Sequence, residues 1–435
     1  MISRNKLKSI FPFLAEIIRW ARRRKTELPA IKRHLARKRF QKNNLQINKA
    51  KIKVVFICQY IPAWSKNKQL YETLKNDNRF EVLLLCIPNR ISANMLQDPD
   101  NLSNEVFDYF TSHGYKESIN ALVGRNQWLD LKSLHPDYVF YNRFDRPMPL
   151  QYTSTVVSTY AKVCLIPYGF ALHKAGEYMF DKQFAANTYC LFAESEEKRK
   201  EFIRWNRILC RLRLCKAVCC GITGVENAFK AKQDTTSAWD FSNKDFRVIY
   251  APRWTQDSIW GGSSFLKYKE SFFKIADEFP NVDILLRPHP LMFDNFISTG
   301  AMTEIEVAEY KRECELRRNL SLDSEKEYHA TFWNSNLLIC DYTSMLIEYY
   351  VTGKPIIYLT YDENIVYTDL MNAMLSGCYI VHDESELREI IGNLVCGIDP
   401  LAEKRKAVIE NDLARGDNYN ASENMKRILL QGYKE

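Results

Sequence analysis

Continuous runs of apolar residues recur along this chain and alternate with stretches of helical periodicity. Residues 53–58 and 80–87 are the first two runs, and 138–141 and 163–166 are further candidates. Such runs are typical of strands buried on both faces of a parallel sheet. With a helix predicted at residues 70–74, the alternation indicates a doubly wound α/β domain.

A second alternation of the same kind follows a break. Residues 195–218 read as a charged amphipathic helix, and residues 223–244 are polar and rich in turn formers, so the domain junction is predicted near them. Beyond the junction, strands are predicted at 246–250, 281–286, 336–340, 354–359 and 378–381, and helices at 265–279, at 345–350 and from about 385.

The predicted organisation is therefore an arm and two α/β domains. The arm is residues 1–50, the N-terminal Rossmann-like domain is residues 51–235, and the C-terminal Rossmann-like domain is residues 236–435. Open parallel sheets bind ligands beyond the carboxyl ends of their strands. Polar clusters follow several of the predicted strands at that end.

Charge separates the arm from the body. Residues 1–53 contain 17 Lys and Arg but only Glu16 and Glu27 as acids, which gives +15. Since the whole chain is +8, the remainder is −7. The protein is a mildly acidic body with a strongly basic N-terminal segment.

The arm has the pattern of an amphipathic helix. Apolar residues from Leu7 to Ala21 recur at helical spacing, a basic run follows at residues 22–25, and a second lies at residues 32–42. This pattern suits an anionic membrane surface, where each basic side chain adds about 1 kcal/mol. A solvated tail or a nucleic-acid-binding segment has a similar composition. No nucleic-acid module follows the arm, which argues against the last reading.

The remaining bulk features predict a cytoplasmic protein. No stretch reaches the roughly 18 apolar residues that span a bilayer, and Pro12 and Glu16 interrupt the one apolar segment that resembles a secretory signal. The 12 cysteines are scattered as expected of reduced thiols. The cluster of Cys210, Cys215, Cys219 and Cys220 lacks a zinc-ligand spacing.

Two polar clusters at strand ends carry the candidate chemistry. Asp341-Tyr342-Thr343-Ser344 lies between a strand and a helix, where free N–H groups and hydroxyls suit phosphate. A helix cap would account for one of these residues but not for the cluster. In Arg287-Pro288-His289-Pro290, the prolines hold an imidazole on a rigid loop, where it can donate to phosphate or accept a proton.

Two further strand-end loops add to these clusters. The loop at residues 250–255 contains Arg253, which is suited to phosphate, and Trp254, which could stack on a base or pack in a core. The matching loop of the N-terminal domain is residues 166–169, and His173 follows shortly after it.

These motifs occur in the order of a known family. Residues 250–254, 287–290, 340–344 with Glu348, 353–358 and 415–422 resemble the CDP-glycerol glycerophosphotransferase family of teichoic-acid and capsule synthesis. The resemblance covers roughly residues 245–430, with a looser echo at 135–175. It implies two Rossmann-like domains facing a cleft, in the glycosyltransferase-B arrangement, with the acceptor bound by residues 51–235 and the nucleotide donor by residues 236–435. It also implies a membrane-associated enzyme on the inner face of the cell membrane.

The resemblance also implies the reaction. A polyol phosphate such as glycerol phosphate passes from a CDP-linked donor to a hydroxyl of a lipid-linked or polysaccharide acceptor, and CMP is released. His289 is expected to bind donor phosphate or to shuttle a proton, while Thr343, Ser344, Arg253 and Arg287 hold the pyrophosphate.

Other site residues are expected to act around this donor. Asp341 and Glu348 are expected to orient His289 or bind ribose. The family's Trp-His-Gly loop reads Pro167-Tyr168-Gly169 here, so Tyr168 and Gly169 are assigned to donor binding. His173, four residues beyond Gly169, is the remaining candidate base.

Cofactor and alternatives stay open at this stage. A divalent cation such as Mg²⁺ is compatible with the chemistry, but no clustered carboxylates mark a site for it. The competing functions are a glycosyltransferase of the same fold that uses a CMP- or UDP-sugar, and a non-catalytic scaffold that docks on membrane or nucleic acid.

Overall fold

The computed structural model describes residues 12–44, 50–89, 103–125, 127–144, 148–170, 181–233, 239, 246–256, 262–323, 325, 328–360, 365–413 and 418–434. The chain forms two compact units. Unit 1 comprises residues 1–168, 176–221 and 421–435, and unit 2 comprises residues 169–175 and 222–420. The predicted pair of α/β domains is thus present, with different boundaries.

Unit 1 is built on a parallel sheet. Its strands are β1 (Ile52–Cys58), β2 (Phe80–Cys86), β3 (Ser118–Asn120), β4 (Leu122–Gly124), β5 (Gln127–Trp128), β6 (Tyr138–Tyr141), β7 (Lys162–Leu165), β8 (Cys190–Phe192) and β9 (Lys216–Val218). The sheet order is β3-β2-β1-β6-β7-β8-β9, while β4 and β5 pair separately as a small antiparallel ribbon. The order reverses between β1 and β6, as in doubly wound sheets.

Helices cover both faces of this sheet. They are α1 (Pro12–Asn44), α2 (Ser65–Lys75), α3 (Glu105–Ser112), α4 (Ser154–Val157), α5 (Lys182–Asn187), α6 (Glu196–Trp205) and α7 (Arg207–Arg211). Apolar side chains of alternate strand positions enter two separate cores, one containing Val55 and Val139 and the other Val54 and Phe140. Burial on both faces explains why these strands read as unbroken apolar runs.

The predicted arm is partly a component of unit 1. On α1, Glu27, Ala30, His34 and Arg37 are buried at helical spacing. The His34 Nε2–H donates to the Ala186 carbonyl at 2.9 Å. The boundary predicted at residue 50 is therefore wrong as a domain limit, because the second half of α1 packs on α5 and contributes buried contacts that composition does not show.

The C-terminal helix also returns to unit 1. Helix α17 (Ala421–Lys434) packs on α2, and its Leu429 carbonyl accepts from the buried Tyr138 hydroxyl at 2.8 Å. Met425 and Leu429 lie in the same apolar core as Phe56. The assignment of residues 421–435 to the C-terminal domain was wrong, since a helix's apolar stripe does not reveal which sheet it covers.

Unit 2 has a second parallel sheet. Its strands are β10 (Phe246–Ala251), β11 (Val282–Leu286), β12 (Leu320–Leu322), β13 (Leu337–Cys340), β14 (Ile356–Leu359) and β15 (Tyr379–Val381). They are ordered β12-β11-β10-β13-β14-β15, which is the Rossmann order 3-2-1-4-5-6. The order reverses between β10 and β13, so this is where a ligand is expected to bind.

The helices of unit 2 complete the doubly wound fold. They are α8 (Thr223–Lys230), α9 (Phe265–Glu278), α10 (Met292–Ser298), α11 (Glu304–Glu315), α12 (His329–Trp333), α13 (Met345–Tyr350), α14 (Asp369–Leu375), α15 (Glu384–Val395) and α16 (Ala402–Val408). The prediction of a turn-rich junction over 223–244 missed α8. Val225 and Ala228 of α8 are buried in a core of unit 2, so the unit begins at Ile222.

One further prediction of the pattern needed correction. The stretch 195–218 is not one helix: α6 and α7 are followed by β9, whose three residues are too few to show a strand period. Within the described residues, no helix combines the length and apolar character needed to cross a membrane.

The placement of α17 can be tested by removing one buried side chain. Leu429→Ala should lower the free energy of unfolding of unit 1 by about 2–5 kcal/mol, because a buried leucine leaves a cavity. Hydrogen exchange should accelerate in β1 and β6 and stay unchanged in β10 and β13. Leu212→Ala, at an exposed position of unit 1, is the control. Faster hydrogen exchange in β10, with exchange in β1 unchanged, would show that α17 packs on unit 2 instead.

Candidate functional site

The carboxyl ends of β10, β11 and β13 lie side by side in unit 2. Arg253 follows β10, Arg287 follows β11 and Asp341 follows β13, and the backbone N–H of Arg287 donates to the Tyr250 carbonyl at 2.8 Å. β10 and β13 are the pair at which the strand order reverses. The sequence-predicted clusters of unit 2 therefore meet at the position where open α/β sheets bind their ligands.

Asp341 is a fully buried carboxylate that joins three segments. Its Oδ1 accepts from the backbone N–H of Arg253 at 2.8 Å. Its Oδ2 accepts from the backbone N–H of Ser264 at 2.8 Å and from the Ser264 hydroxyl at 2.9 Å. These bonds fix the loop after β10 and the start of α9 relative to β13.

The protonation of Asp341 reflects this environment. Burial raises its pKa to about 6, and the hydrogen bonds from Ser264 and Arg253 oppose that rise. The carboxylate is directed at backbone donors, and none of its recorded contacts is with His289. Its predicted roles, orienting His289 or binding ribose, stay predictions, while the bonds that the structure shows brace the loops around the site.

His289 lies half-buried on the loop after β11. Its Nδ1 accepts from the backbone N–H of Leu291 at 3.2 Å, so the neutral ring carries its proton on Nε2. The ring is tilted against Trp254, with 5.8 Å between ring centroids. Trp254 packs partly into the apolar core, which is the packing alternative for this side chain. A neutral imidazole with an Nε2–H is a hydrogen-bond donor.

The electrostatics of the site keep His289 neutral. Burial, and secondarily the positive charge of Arg253, lower the pKa of His289 to about 4. Of the two roles predicted for this residue, the geometry favours donation to a phosphate oxygen. Proton acceptance through Nε2 would require the other tautomer, which leaves the Leu291 N–H without its acceptor.

The two predicted phosphate-binding arginines differ in what they contact. Arg253 places its guanidinium 5.1 Å from the Tyr342 ring centroid and donates from Nη1 to the Tyr342 carbonyl at 3.3 Å. Arg287 forms an ion pair with the buried Asp323 and donates to the Glu325 carbonyl. That Arg253 and Arg287 hold the pyrophosphate stays a prediction for both residues, although the ion pair with Asp323 already compensates the charge of Arg287.

Glu348 is also directed elsewhere. It is buried on α13, where Oε2 accepts from His329 Nε2 at 2.8 Å and from the Tyr328 hydroxyl at 2.7 Å. The histidine that Glu348 contacts in the structure is His329, and its predicted roles of orienting His289 or binding ribose stay predictions. His329 precedes Glu348 by 19 residues, and nothing in the sequence period links the two.

Thr343 and Ser344 lie where the sequence placed them, between β13 and α13. Thr343 Oγ1 accepts from the Met345 N–H at 3.3 Å, which leaves its hydroxyl proton to donate. The Ser344 side chain makes no capping bond to α13. Helix capping therefore accounts for Thr343 but not for Ser344, and both hydroxyls are partly exposed.

The N-terminal candidates lie on another part of the chain. Tyr168, in unit 1, is 43% exposed and its backbone N–H donates to the Asn142 carbonyl at 2.8 Å. A side chain at Gly169 would meet no atom within 4 Å. His173 falls outside the described residues. The roles of Tyr168, Gly169 and His173 stay predictions.

Sequence reasoning missed residues that hold the site together, namely Ser264, Asp323, Tyr328 and His329. Each is a polar residue in or beside a loop, and such residues are common everywhere in a soluble protein. In the described part of the chain, no group of three or more His, Cys, Asp and Glu side chains could hold a metal ion.

Comparison with known families identifies the family of the C-terminal part of the chain. Residues 225–430 match the family described as CDP-Glycerol:Poly(glycerophosphate) glycerophosphotransferase. These residues belong to the CDP-glycerol glycerophosphotransferase family. The match covers most of unit 2, the first part of α17 in unit 1, and all the strand-end motifs of unit 2 that carry the resemblance. It confirms the prediction of a CDP-glycerol glycerophosphotransferase-like enzyme.

Solved structures extend the likeness to both units. The wall teichoic acid polymerase TagF, in a crystal soaked with CDPG, is 15% identical with a TM-score of 0.57, covering 97% of this chain and 98% of that chain. UDP-GlcNAc 2-epimerase from Neisseria meningitidis, bound to UDP-GlcNAc, is 14% identical with a TM-score of 0.57, covering 87% and 100%. At these identities the likeness confirms the fold, two Rossmann-like domains of the glycosyltransferase-B type. None of the curated protein sequences matches this chain.

The brace around Asp341 gives the glycerophosphotransferase domain a pH-dependent stability. Because its pKa rises from 3.8 to about 6 on folding, Asp341 contributes stability that is full below pH 4 and is lost as the pH rises through 6. The Ser264 hydroxyl bonds the carboxylate. Ser264→Ala should therefore cost about 1.5–3 kcal/mol above pH 6 and less at pH 4–5.

Urea unfolding at pH 5 and pH 8 measures this difference. Ser335→Ala is the matched control, because Ser335 is equally buried and its hydroxyl contacts only the neutral Phe332 carbonyl and Tyr349 hydroxyl. A cost for Ser264→Ala that is the same at both pH values would contradict an ionised, braced Asp341.

Proposed function

We propose that this enzyme transfers glycerol phosphate from CDP-glycerol to a hydroxyl of a lipid-linked or polysaccharide acceptor in cell-surface polymer synthesis, as in teichoic acid, and releases CMP. The observation that carries the proposal is that the loops with Arg253 and His289 follow the adjacent strands β10 and β11, next to the β10–β13 reversal, inside a domain of the glycerophosphotransferase family. TagF, a polymerase of wall teichoic acid, shares the fold.

The reaction is an in-line displacement at phosphorus. The acceptor oxygen forms a bond to the β-phosphorus of CDP-glycerol, and the bond from that phosphorus to the bridging oxygen breaks. The electron pair leaves with CMP, and the acceptor's proton passes to a base, for which His173 remains the candidate. Catalysis then consists of positioning and of stabilising charge on the phosphoryl oxygens.

Unit 2 offers donors suited to that charge. The His289 Nε2–H is a neutral donor, Arg253 supplies positive charge, and Thr343 and Ser344 supply hydroxyls at the end of β13. Because His289 is already neutral at pH 7, it can donate its Nε2–H without a change of protonation state. Arg287 contributes indirectly, because its charge is already paired with Asp323.

Donor turnover by purified protein tests the proposal. With CDP-glycerol and a glycerol-phosphate primer, CMP release should be measurable by chromatography, and His289→Ala should lower kcat/KM by about 100–1,000-fold, the loss typical of a donor to transition-state charge. His382→Ala, an exposed histidine at the end of β15 in the same sheet, should leave turnover unchanged.

Three outcomes would contradict the proposal. Turnover of CMP- or UDP-sugars without CDP-glycerol would make the protein a glycosyltransferase. Full activity of His289→Ala would remove this residue from the site. Polymer synthesis in cells that is unaffected by His289→Ala would favour a non-catalytic scaffold.

The exposed face of α1 supports peripheral attachment to the inner face of the cell membrane. Leu28 and Leu35 are 49% and 44% exposed and share that face with Lys32 and Arg39, opposite the buried His34. Toward the start of the helix, the exposed Trp20 carries the Arg24 guanidinium over its ring at 4.3 Å. Apolar side chains flanked by cations are the composition that binds anionic lipid.

Vesicle flotation tests this attachment. The full chain should float with vesicles of phosphatidylcholine and phosphatidylglycerol and not with phosphatidylcholine alone, because cations attract anionic headgroups. Replacing Leu28 and Leu35 with Glu should reduce the bound fraction roughly 10-fold. Leu150→Glu, an exposed leucine elsewhere in unit 1, is the control. Equal loss in the control, or tight binding of DNA or RNA with no binding to vesicles, would overturn the membrane assignment.

A further inference from the structure

Arg287 is held over an aromatic ring that the strand-end motifs do not include. Its guanidinium carbon lies 4.8 Å from the centroid of the Tyr328 ring, while Asp323 and the Glu325 carbonyl accept from its nitrogens. Cation–π contact adds to the ion pair and restricts the guanidinium to one plane. The loop that carries His289 begins at Arg287, so this contact anchors that loop at its first residue.

The hydroxyl of the same tyrosine reaches the other strand-end loop. It donates to Glu348 Oε2 at 2.7 Å, and Glu348 lies on α13, the helix that begins directly after Thr343 and Ser344. Tyr328 thus contacts the segment after β11 through its ring and the segment after β13 through its hydroxyl. β10 lies between these two strands in the sheet.

Glu348 is a fixed point for this contact. Its carboxylate is buried and accepts a second hydrogen bond, from His329 Nε2. The His329 Nδ1 faces the Asn227 side-chain nitrogen at 3.2 Å, so the amide donates to Nδ1 and the neutral ring presents its proton to Glu348. A buried carboxylate with several donors resists displacement, because each lost donor leaves buried charge less compensated.

We propose that Tyr328 is a positioning residue that sets the His289 loop and the Thr343–Ser344 loop at a fixed separation across the end of β10. The inference rests on the proposed function, in which these two loops bind the phosphates of one donor. Without the ring, the Arg287 end of the first loop shifts; without the hydroxyl, the start of α13 relaxes around Glu348. Errors of about 1 Å in such a site can cost roughly 100-fold in rate.

Two substitutions separate the ring from the hydroxyl. Tyr328→Phe keeps the ring under Arg287 and removes the bond to Glu348, whereas Tyr328→Leu removes both. Tyr349→Phe is the matched control: Tyr349 lies on α13, is fully buried, and also loses one buried hydroxyl bond, to Ser335. The control variant should lose a similar amount of thermal stability to Tyr328→Phe.

Kinetics and a spectroscopic signal are measured on each variant. In the transfer reaction, Tyr328→Phe should lower kcat/KM roughly 10-fold and Tyr328→Leu more, while Tyr349→Phe stays within about twofold of the parent protein. In donor-free protein with ¹³C-labelled histidine, the His289 ring signal, assigned by its loss in His289→Gln, should move in Tyr328→Leu and stay in place in Tyr349→Phe.

The two measurements fail separately. If the parent protein does not turn over CDP-glycerol, the proposed function is lost, but the His289 signal still decides whether Tyr328 positions that loop. If the His289 signal is the same in Tyr328→Leu and in the parent protein, the positioning role is wrong, whatever the donor. Equal kinetic losses in Tyr328→Phe and Tyr349→Phe would reduce Tyr328 to a general contribution to stability.

Discussion

The site of unit 2 depends on one buried carboxylate and on the three donors that satisfy it. Burying the Asp341 carboxylate away from water costs free energy unless its oxygens accept hydrogen bonds. The donors of those bonds lie in the loop after β10 and at the start of α9. The carboxylate therefore fixes two segments of chain with bonds that either form together or leave charge uncompensated. The backbone of Arg253 is held in position by this carboxylate, because the Arg253 N–H is one of the three donors.

From that brace, the electrostatics of the neighbouring residues follow. The arginines after β10 and β11 differ in their contacts. Arg287 forms an ion pair with Asp323 and lies over the Tyr328 ring. Arg253 donates to the Tyr342 carbonyl and lies over the Tyr342 ring, and its positive charge opposes the rise in the pKa of Asp341. An arginine whose charge is paired internally shapes a loop. The charge of Arg253 also acts on His289, whose pKa is lowered first by burial and secondarily by this arginine.

How much the sequence could predict depends on the range of each interaction. Strands such as 281–286 and the helix at 345–350 are local patterns of burial, and both appear within a residue of their predicted limits. The position of the loops at 287–290 and 341–344, at the carboxyl ends of β11 and β13, could be predicted because each loop directly follows a predicted strand of a parallel sheet. The partner of Glu348 could not, since His329 and His289 are equally plausible until the chain is folded. The assignment of α17 to the sheet of unit 2 was wrong for the same reason: the apolar stripe of a helix does not reveal which sheet the helix packs on.

The low pKa of His289 has a consequence for donor binding. Burial, and secondarily the positive charge of Arg253, disfavour the imidazolium form of His289 in the unliganded site. A pyrophosphate would reverse the balance, because its charge offsets Arg253 and stabilises a proton on His289. Donor binding and protonation of His289 are then linked: the ring enters as a neutral donor and becomes a stronger one as negative charge develops on the phosphoryl oxygens. Uncharged ligands would gain nothing from this arrangement, which is why the proposed function requires a phosphorylated donor.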